Sequence, residues 1–178
     1  MRSLGGVALS LALTLGMTLA TTPATATPDG SPWGYSGGGE PDCTLCHFED
    51  DAVAGSGALT LSGIDGAIIA GETYRLTLSF AVDDMAIAGF QMRAETDDGA
   101  VAGAFEALDG AVEANGAAIR SRIAGATPTG GVATWTFNWR ASTDLDAPVR
   151  FFVAANAGND DMSPFGDVVH LQEFLIKN

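Results

Sequence analysis

Two cysteines and a histidine stand close enough in this chain to act on a single group. They form the segment Cys43-Thr44-Leu45-Cys46-His47, and the other 173 of the 178 residues contain no cysteine and one histidine. Two thiols separated by two residues can add to the two vinyl groups on one edge of a porphyrin, and the next residue then lies under the iron. The spacing therefore predicts one covalently bound c-type haem with His47 as the proximal iron ligand.

Three other chemistries use a cysteine pair of this kind. A disulfide between Cys43 and Cys46 would close a very small loop and stabilise the fold little, because the entropy it removes grows with loop length. A thioredoxin-like redox pair needs its cysteines at the start of a helix in a βαβ unit, whereas the flanks here are rich in Gly, Pro and acidic residues. A structural zinc site would need a second pair of ligands at a defined spacing. The spacing favours haem over all three.

The opposite face of the iron would be open to a second protein ligand. His170 is the only other histidine, lies in the last predicted strand on the same side as Phe174, and is a possible distal ligand. Met85, Met92 and Met162 are the alternatives, and a methionine would raise the reduction potential relative to a second imidazole. Met92 alternates with apolar residues, which indicates packing, whereas Met85 and Met162 lie in predicted loops. The sequence does not choose among these four.

The first 26 residues have the pattern of a signal peptide. Arg2 gives a positive start, residues 4–20 form an apolar run, and Ala24-Thr25-Ala26 has the small-x-small form of a cleavage site. Haem is joined to c-type cytochromes outside the cytoplasm, which agrees with export. We therefore expect cleavage, no membrane span in the mature chain, and a periplasmic, secreted or cell-surface protein.

The chain is strongly acidic, with a formal net charge of −14. Because a polyanion would be repelled and no basic stripe is present, nucleic acid is excluded as an ordinary partner. The charge is compatible with a basic redox partner protein and equally with a solvated surface that keeps an exported protein soluble. The sequence has no GxSxG nucleophile elbow and no phosphate-binding Gly/Lys loop, so we assign no catalytic residue and do not predict an enzyme.

After the signal peptide, the chain divides into two parts. Residues 27–57 contain several prolines and the run Gly37-Gly38-Gly39, which predicts an irregular arm that carries the haem motif. Residues 58–178 show the two-residue period of strands, and about eight short strands separated by turn residues predict one antiparallel, immunoglobulin-like β-sandwich. The aromatic residues of the arm are expected either to pack against the haem or to anchor the arm, and they are Trp33, Tyr35 and Phe48.

Oxygen-bearing side chains are concentrated in the loop before the last predicted strand. Carboxylates and amides at one loop are the ligands that calcium prefers, but the spacing here matches no calcium-loop pattern. We therefore interpret the group as a solvated turn. It consists of Asn156, Asn159, Asp160, Asp161 and Asp167.

Several short segments of the arm and of the predicted strands together carry a resemblance to a known family. They are Ser36–Asp42 leading into Cys43–His47, Ala70–Tyr74, Gly89–Ala94, Trp139–Ala141 and Val149–Asn156. In this series the chain resembles secreted bacterial proteins related to the reeler (reelin N-terminal) domain, in which a Gly-rich arm with CxxCH precedes a β-sandwich. The resemblance implies a reeler-like sandwich and an exported, often surface-associated setting, and it implies no catalysis.

Two functional hypotheses follow. The first is an exported, single-haem, c-type cytochrome-like protein that transfers or relays electrons outside the cytoplasm, with haem c bound by Cys43, Cys46 and His47. The alternative is a cell-surface binding or adhesion module of reeler-like fold, in which Cys43 and Cys46 form a bridge and no haem is bound.

Overall fold

The strands of the chain form two sheets that face each other across one core. A computed structural model describes residues 30–177, so the predicted signal peptide lies outside the described residues. Within this range there are two three-residue 3₁₀ helices, Cys43–Leu45 and Ile123–Gly125, and no helix long and apolar enough to cross a membrane. The strands of this range are β1 Val53–Ala54, β2 Leu59–Ser62, β3 Thr73–Ala81, β4 Ile87–Thr96, β5 Gly103–Ala107, β6 Val112–Ala114, β7 Ala118–Ser121, β8 Val132–Ala141, β9 Val149–Gly158 and β10 Val168–Ile176.

One sheet has six strands and the other has four. The order in the six-stranded sheet is β1-β10-β9-β4-β7-β6, and the order in the four-stranded sheet is β2-β3-β8-β5. All pairings are antiparallel except that of β1 with β10. The predicted all-β, antiparallel sandwich is therefore confirmed.

The core follows directly from the period of two in β3 and β8. Leu76 and Leu78 of β3 are fully buried and lie opposite Phe137 and Trp135 of β8. Burying each such side chain contributes about 1.5–3 kcal/mol. A slip of one residue by either strand would turn its two core side chains to solvent, so the hydrophobic pattern fixes the pairing.

The central strand β4 is buried on both faces, which the sequence did not predict. Phe90 and Met92 face the core, and the polar side chains between and after them, Gln91 and Arg93, are 1% and 7% exposed. A polar side chain that leaves water must find hydrogen-bond partners in the protein. Here the arm supplies them, because it lies across the outer face of the six-stranded sheet.

Gln91 anchors the first part of the arm. Its Oε1 accepts hydrogen bonds from the backbone N–H groups of Gly34 and Tyr35 at 2.7 and 2.8 Å. Its Nε2 donates to the carbonyl of Pro32 at 2.9 Å and to the hydroxyl of Ser31 at 3.0 Å. All the hydrogen-bonding positions of this amide are thus used, and the arm is held in one register on β4.

Arg93 anchors the glycine run. Its guanidinium donates to the carbonyls of Gly37 and Gly38 at 2.5 and 2.8 Å and to the hydroxyl of Ser36 at 2.8 Å. The same group stacks over the ring of Phe152, 4.4 Å from its centroid. These contacts fix the backbone that leads into Cys43.

Three elements differ from the sequence prediction. The arm is not wholly irregular, because β1 pairs in parallel with β10 through Val53 and His170. Strand β6 and the 3₁₀ helix that begins at Ile123 were not predicted. The indole N–H of Trp135 donates to the carbonyl of Gly125 at 2.8 Å and holds that helix. Elements of two or three residues carry no detectable period, so only tertiary contacts define them.

Candidate functional site

A cleft opens between the arm and the end of the sandwich where β4 begins. Its volume is about 500 Å³, which is in the range of small-molecule and cofactor sites. Four parts of the chain form its wall: the arm, the start of β4, the segment Ser121–Ala126 and the loop between β9 and β10. Cys43, Cys46 and His47 all line it, so the three residues of the motif meet at one space, hereafter the cleft.

A short helical turn brings the motif residues to the cleft. Asp42 caps the 3₁₀ helix Cys43–Leu45, because its carboxylate accepts from the N–H and the hydroxyl of Thr44 at 2.8 and 2.6 Å. The N–H of Cys46 and of His47 both donate to the carbonyl of Cys43, at 3.2 and 2.9 Å. This compact turn explains how residues at positions one, four and five of the motif reach the same wall.

The two cysteines are free thiols in the structure. Burial, followed by the negative charge of Asp42, raises the pKa of the Cys43 thiol to about 12. Reactive cysteines of disulfide oxidoreductases have a lowered pKa because the thiolate is the nucleophile. The environment of Cys43 therefore argues against the thioredoxin-like interpretation.

His47 is held by a carboxylate from the other end of the chain. Asp167, directly before β10 and 6% exposed, lies with Oδ2 2.5 Å from Nδ1 of His47. The amide of Asn156 donates to the same Oδ2 at 3.0 Å, and the N–H of Asn159 donates to Oδ1 at 3.2 Å. A carboxylate at Nδ1 accepts the proton there and leaves the lone pair of the imidazole on Nε2. A carboxylate at Nδ1 is the usual partner of a histidine that binds a metal through Nε2.

Two further contacts join the arm to the loop between β9 and β10. The backbone N–H of Gly166 donates to a carboxylate oxygen of Glu49. The rings of Phe48 and Phe165 meet edge to face with centroids 5.4 Å apart. These contacts hold the arm next to His47 against the loop next to Asp167, and they therefore fix the position of His47 relative to Asp167.

The structure does not bring His170 to the cleft. Its ring packs against Phe80 with centroids 5.2 Å apart, and its Nδ1 lies 3.0 Å from the hydroxyl of Ser56. Burial lowers the pKa of this histidine. Its Nε2 is buried and, within residues 30–177, has no hydrogen-bond partner.

The methionines are divided between the core and the cleft. Met85 and Met92 belong to the hydrophobic core and are 7% and 0% exposed. Met162, in the loop between β9 and β10, is 96% exposed and lines the cleft. Of the sixth-ligand candidates from the sequence, Met162 is the one that shares the cleft with the CxxCH residues.

The aromatic residues of the arm take different roles. Tyr35 lines the cleft, whereas Trp33 anchors the arm, because the guanidinium of Arg120 stacks 4.3 Å from its ring centroid. Phe48 joins the arm to the loop through Phe165, as described above.

Sequence analysis missed the residues that support the motif. Asp167 and Asn156 lie in the loop that the sequence indicates to be a solvated turn, yet Asp167 pairs with His47 and Asn156 donates to Asp167. Gln91 and Arg93, which anchor the arm, are not singled out by the sequence. A signal for the second pair was present, since two polar residues alternate with core residues in a long central strand. No group of three or more His, Cys, Asp or Glu side chains suited to a metal ion occurs in the described part of the chain.

The donor set and the space fit a c-type haem. Both thiols are free and lie on one wall, and Nδ1 of His47 lies 2.5 Å from the carboxylate of Asp167. The rest of the wall includes apolar side chains such as Ile87 and Phe90, one cation, Arg122, and the carboxylates of Asp160 and Asp161. This combination suits a flat apolar macrocycle with carboxylate groups at one edge.

The fold and the site together define an all-β sandwich whose arm brings a CxxCH turn to a cleft. Among solved structures, the chain is similar to a human F-spondin reeler domain (fragment 1), with a TM-score of 0.54 and 16% identity over 71% of this chain and 94% of that chain. It is also similar to the Reelin-N domain of F-spondin, with a TM-score of 0.55 and 16% identity over 76% of this chain and 96% of that chain. No family model and no curated protein matches the chain. The chain therefore has a reeler-like β-sandwich fold, and at this identity the likeness extends to the fold alone.

Proposed function

We propose that this chain is an exported, single-haem protein that holds haem c in the cleft and transfers or relays electrons outside the cytoplasm. The observation that supports it best is the pairing of His47 Nδ1 with the buried carboxylate of Asp167 at 2.5 Å, beside two free thiols on the same cleft.

Cys43 and Cys46 would hold the haem through two thioether bonds, one to each vinyl group of the porphyrin. In each addition the S–H bond and the vinyl π bond would break, and one C–S bond and one C–H bond would form. The attachment would need no oxidant or reductant and would release no atom. The expected mass of the product is therefore the mass of the chain plus that of one haem.

Three residues of the cleft would bind or support the haem in different ways. When bound, the haem supplies one-electron oxidation and reduction of its iron. His47 would bind the iron through Nε2, and the contact of Asp167 with Nδ1 would orient the imidazole. Arg122 on the cleft wall is suited to pair with a haem carboxylate.

The proposed setting follows from the signal-peptide pattern and the charge. An exported chain with a net charge of −14 would be steered toward a basic redox partner and away from other acidic surfaces. The partner protein is defined here by its charge only.

The test is to produce the chain in one host with and without a cytochrome c maturation system. The chain from the host with the maturation system should gain the mass of one haem. It should keep the haem through acid-acetone extraction and give a c-type pyridine haemochrome spectrum. The double variant Cys43→Ser/Cys46→Ser, made in the same maturing host, should lose the retained haem. A colourless wild-type chain from that host would overturn the proposal.

A second candidate is a reeler-like binding or adhesion module without haem, and the likeness to F-spondin reeler domains favours it at the level of fold. One feature of the cleft is compatible with it, because Asn156 lines the cleft and its Oδ1, within residues 30–177, is buried without a hydrogen-bond partner. Such an acceptor could receive a hydrogen bond from a small ligand. In this case mass spectrometry should find the loss of two hydrogens from a Cys43–Cys46 bridge, and no haem.

A further inference from the structure

Resting on the proposed haem site, we infer that the thioether of Met162 is the second protein ligand that the haem iron would receive, in addition to His47. The inference names a residue that the motif cannot specify, since CxxCH defines only one axial ligand.

The first support is the place of Met162 in the fold. It lines the same cleft as Cys43, Cys46 and His47. It belongs to the loop that ends at Asp167, whose carboxylate holds His47. One loop therefore carries both the support of the proximal histidine and a thioether at the wall of the same cleft.

The second support is the exposure of the side chain. Met162 is 96% exposed, which is unusual for a large apolar side chain in a loop that is well defined by hydrogen bonds. The N–H of Asp161 donates to Oδ1 of Asn159 at 3.1 Å, and the N–H of Ser163 donates to Oδ1 of Asp161 at 2.8 Å. Met162 itself has φ of 61°. The turns on both sides thus hold the thioether out of the core and at the cleft, where a soft sulfur ligand suits haem iron.

The other candidate ligands are buried in parts of the fold that do not line the cleft. Met92 and His170 are 0% and 7% exposed, and His170 packs against Phe80. Met85 is 7% exposed and belongs to the core. None of these three lines the cleft, so each would have to leave its packing to reach the iron.

The test uses the haem-loaded protein, whose covalent haem is first established by mass. Ferric wild-type protein should be low-spin and show the weak charge-transfer band in the red that a thioether ligand gives. Met162→Leu, which keeps the apolar volume and removes the ligand, should lose that band, change spin state and have a lower reduction potential.

Two matched variants separate the ligands. Met85→Leu makes the same substitution at a core methionine, and His170→Gln removes the rival imidazole; both should keep the wild-type spectrum. The inference is overturned if the wild-type protein lacks the band, if Met162→Leu retains it, or if either control variant loses it. A chain without covalent haem overturns the proposed function as well, and the mass measurement identifies that outcome before any spectrum is compared.

Discussion

Asp167, at the start of the last strand, and His47, in the N-terminal arm, are joined by a contact of 2.5 Å between Oδ2 and Nδ1. The carboxylate is nearly buried and receives two other hydrogen bonds, from Asn156 and from the backbone of Asn159. The two ends of the described chain therefore meet at the site, and the imidazole of the motif is oriented by a residue far away in sequence.

This pairing predicts an effect on the iron. In haem-loaded protein, Asp167→Asn should raise the reduction potential, because an amide is a weaker acceptor than a carboxylate and leaves His47 a less basic ligand. Protein-film voltammetry measures the shift. Asp51→Asn removes the same charge from an exposed position near the motif and should shift the potential less. If the two variants shift the potential equally, the effect of Asp167 comes from its negative charge alone and not from its contact with His47.

Gly38 and Gly39, neighbours in the glycine run, should differ in how much stability an alanine substitution costs. A Cβ on Gly38 would lie 2.1 Å from Cδ1 of Phe152, whereas one on Gly39 would meet nothing within 4 Å, and both residues have positive φ. Gly39→Ala should therefore carry only the conformational penalty of about 1 kcal/mol. Gly38→Ala should lose a further 1–3 kcal/mol or so from overpacking. Hydrogen exchange of the Gly37 amide, which donates to Pro41, reports the stability of the arm, and equal losses in the two variants would contradict the prediction.

The buried histidine predicts acid sensitivity. Burial lowers the pKa of His170 below its usual 6.5, so the unfolded chain binds a proton in a range where the folded chain does not. Its contribution to stability is complete above pH 6.5 and is lost as the pH falls toward the folded-state pKa. His170→Gln should make the urea midpoint less dependent on pH in this window. Parallel pH profiles for the variant and the wild type would be the contrary result.

The Cys43 thiol predicts alkaline sensitivity in the haem-free chain. Its pKa rises from 9.0 to about 12 on folding, so the unfolded chain releases the proton first. The stabilisation is complete below pH 9.0 and is lost as the pH rises toward 12. Denaturant titrations on either side of pH 9.0 should show a loss that Cys43→Ser lacks.

The same measurement bears on the cofactor. A thioether does not titrate, so haem-loaded protein should lack the part of the alkaline loss that comes from Cys43. If the haem-loaded and haem-free chains lose stability in parallel above pH 9.0, Cys43 is not the group responsible.

The period of two in residues such as Leu76, Leu78 and Phe80 was enough to predict strands and an antiparallel sandwich, since burial of one face is a local pattern. The CxxCH spacing was enough to predict a turn that presents two thiols and an imidazole together, because it joins residues within one helical turn.

Only the tertiary structure decided what surrounds that turn. The covering of Gln91 and Arg93 by the arm, the pairing of Asp167 with His47, and the separation of Met162 from His170 depend on which strands lie side by side and on how the arm crosses them. Such contacts join residues from distant parts of the chain, and no local spacing encodes them. The sequence by itself therefore determined the strands and the motif, whereas the packing of the arm and of the loop before β10 determined the partners of the motif.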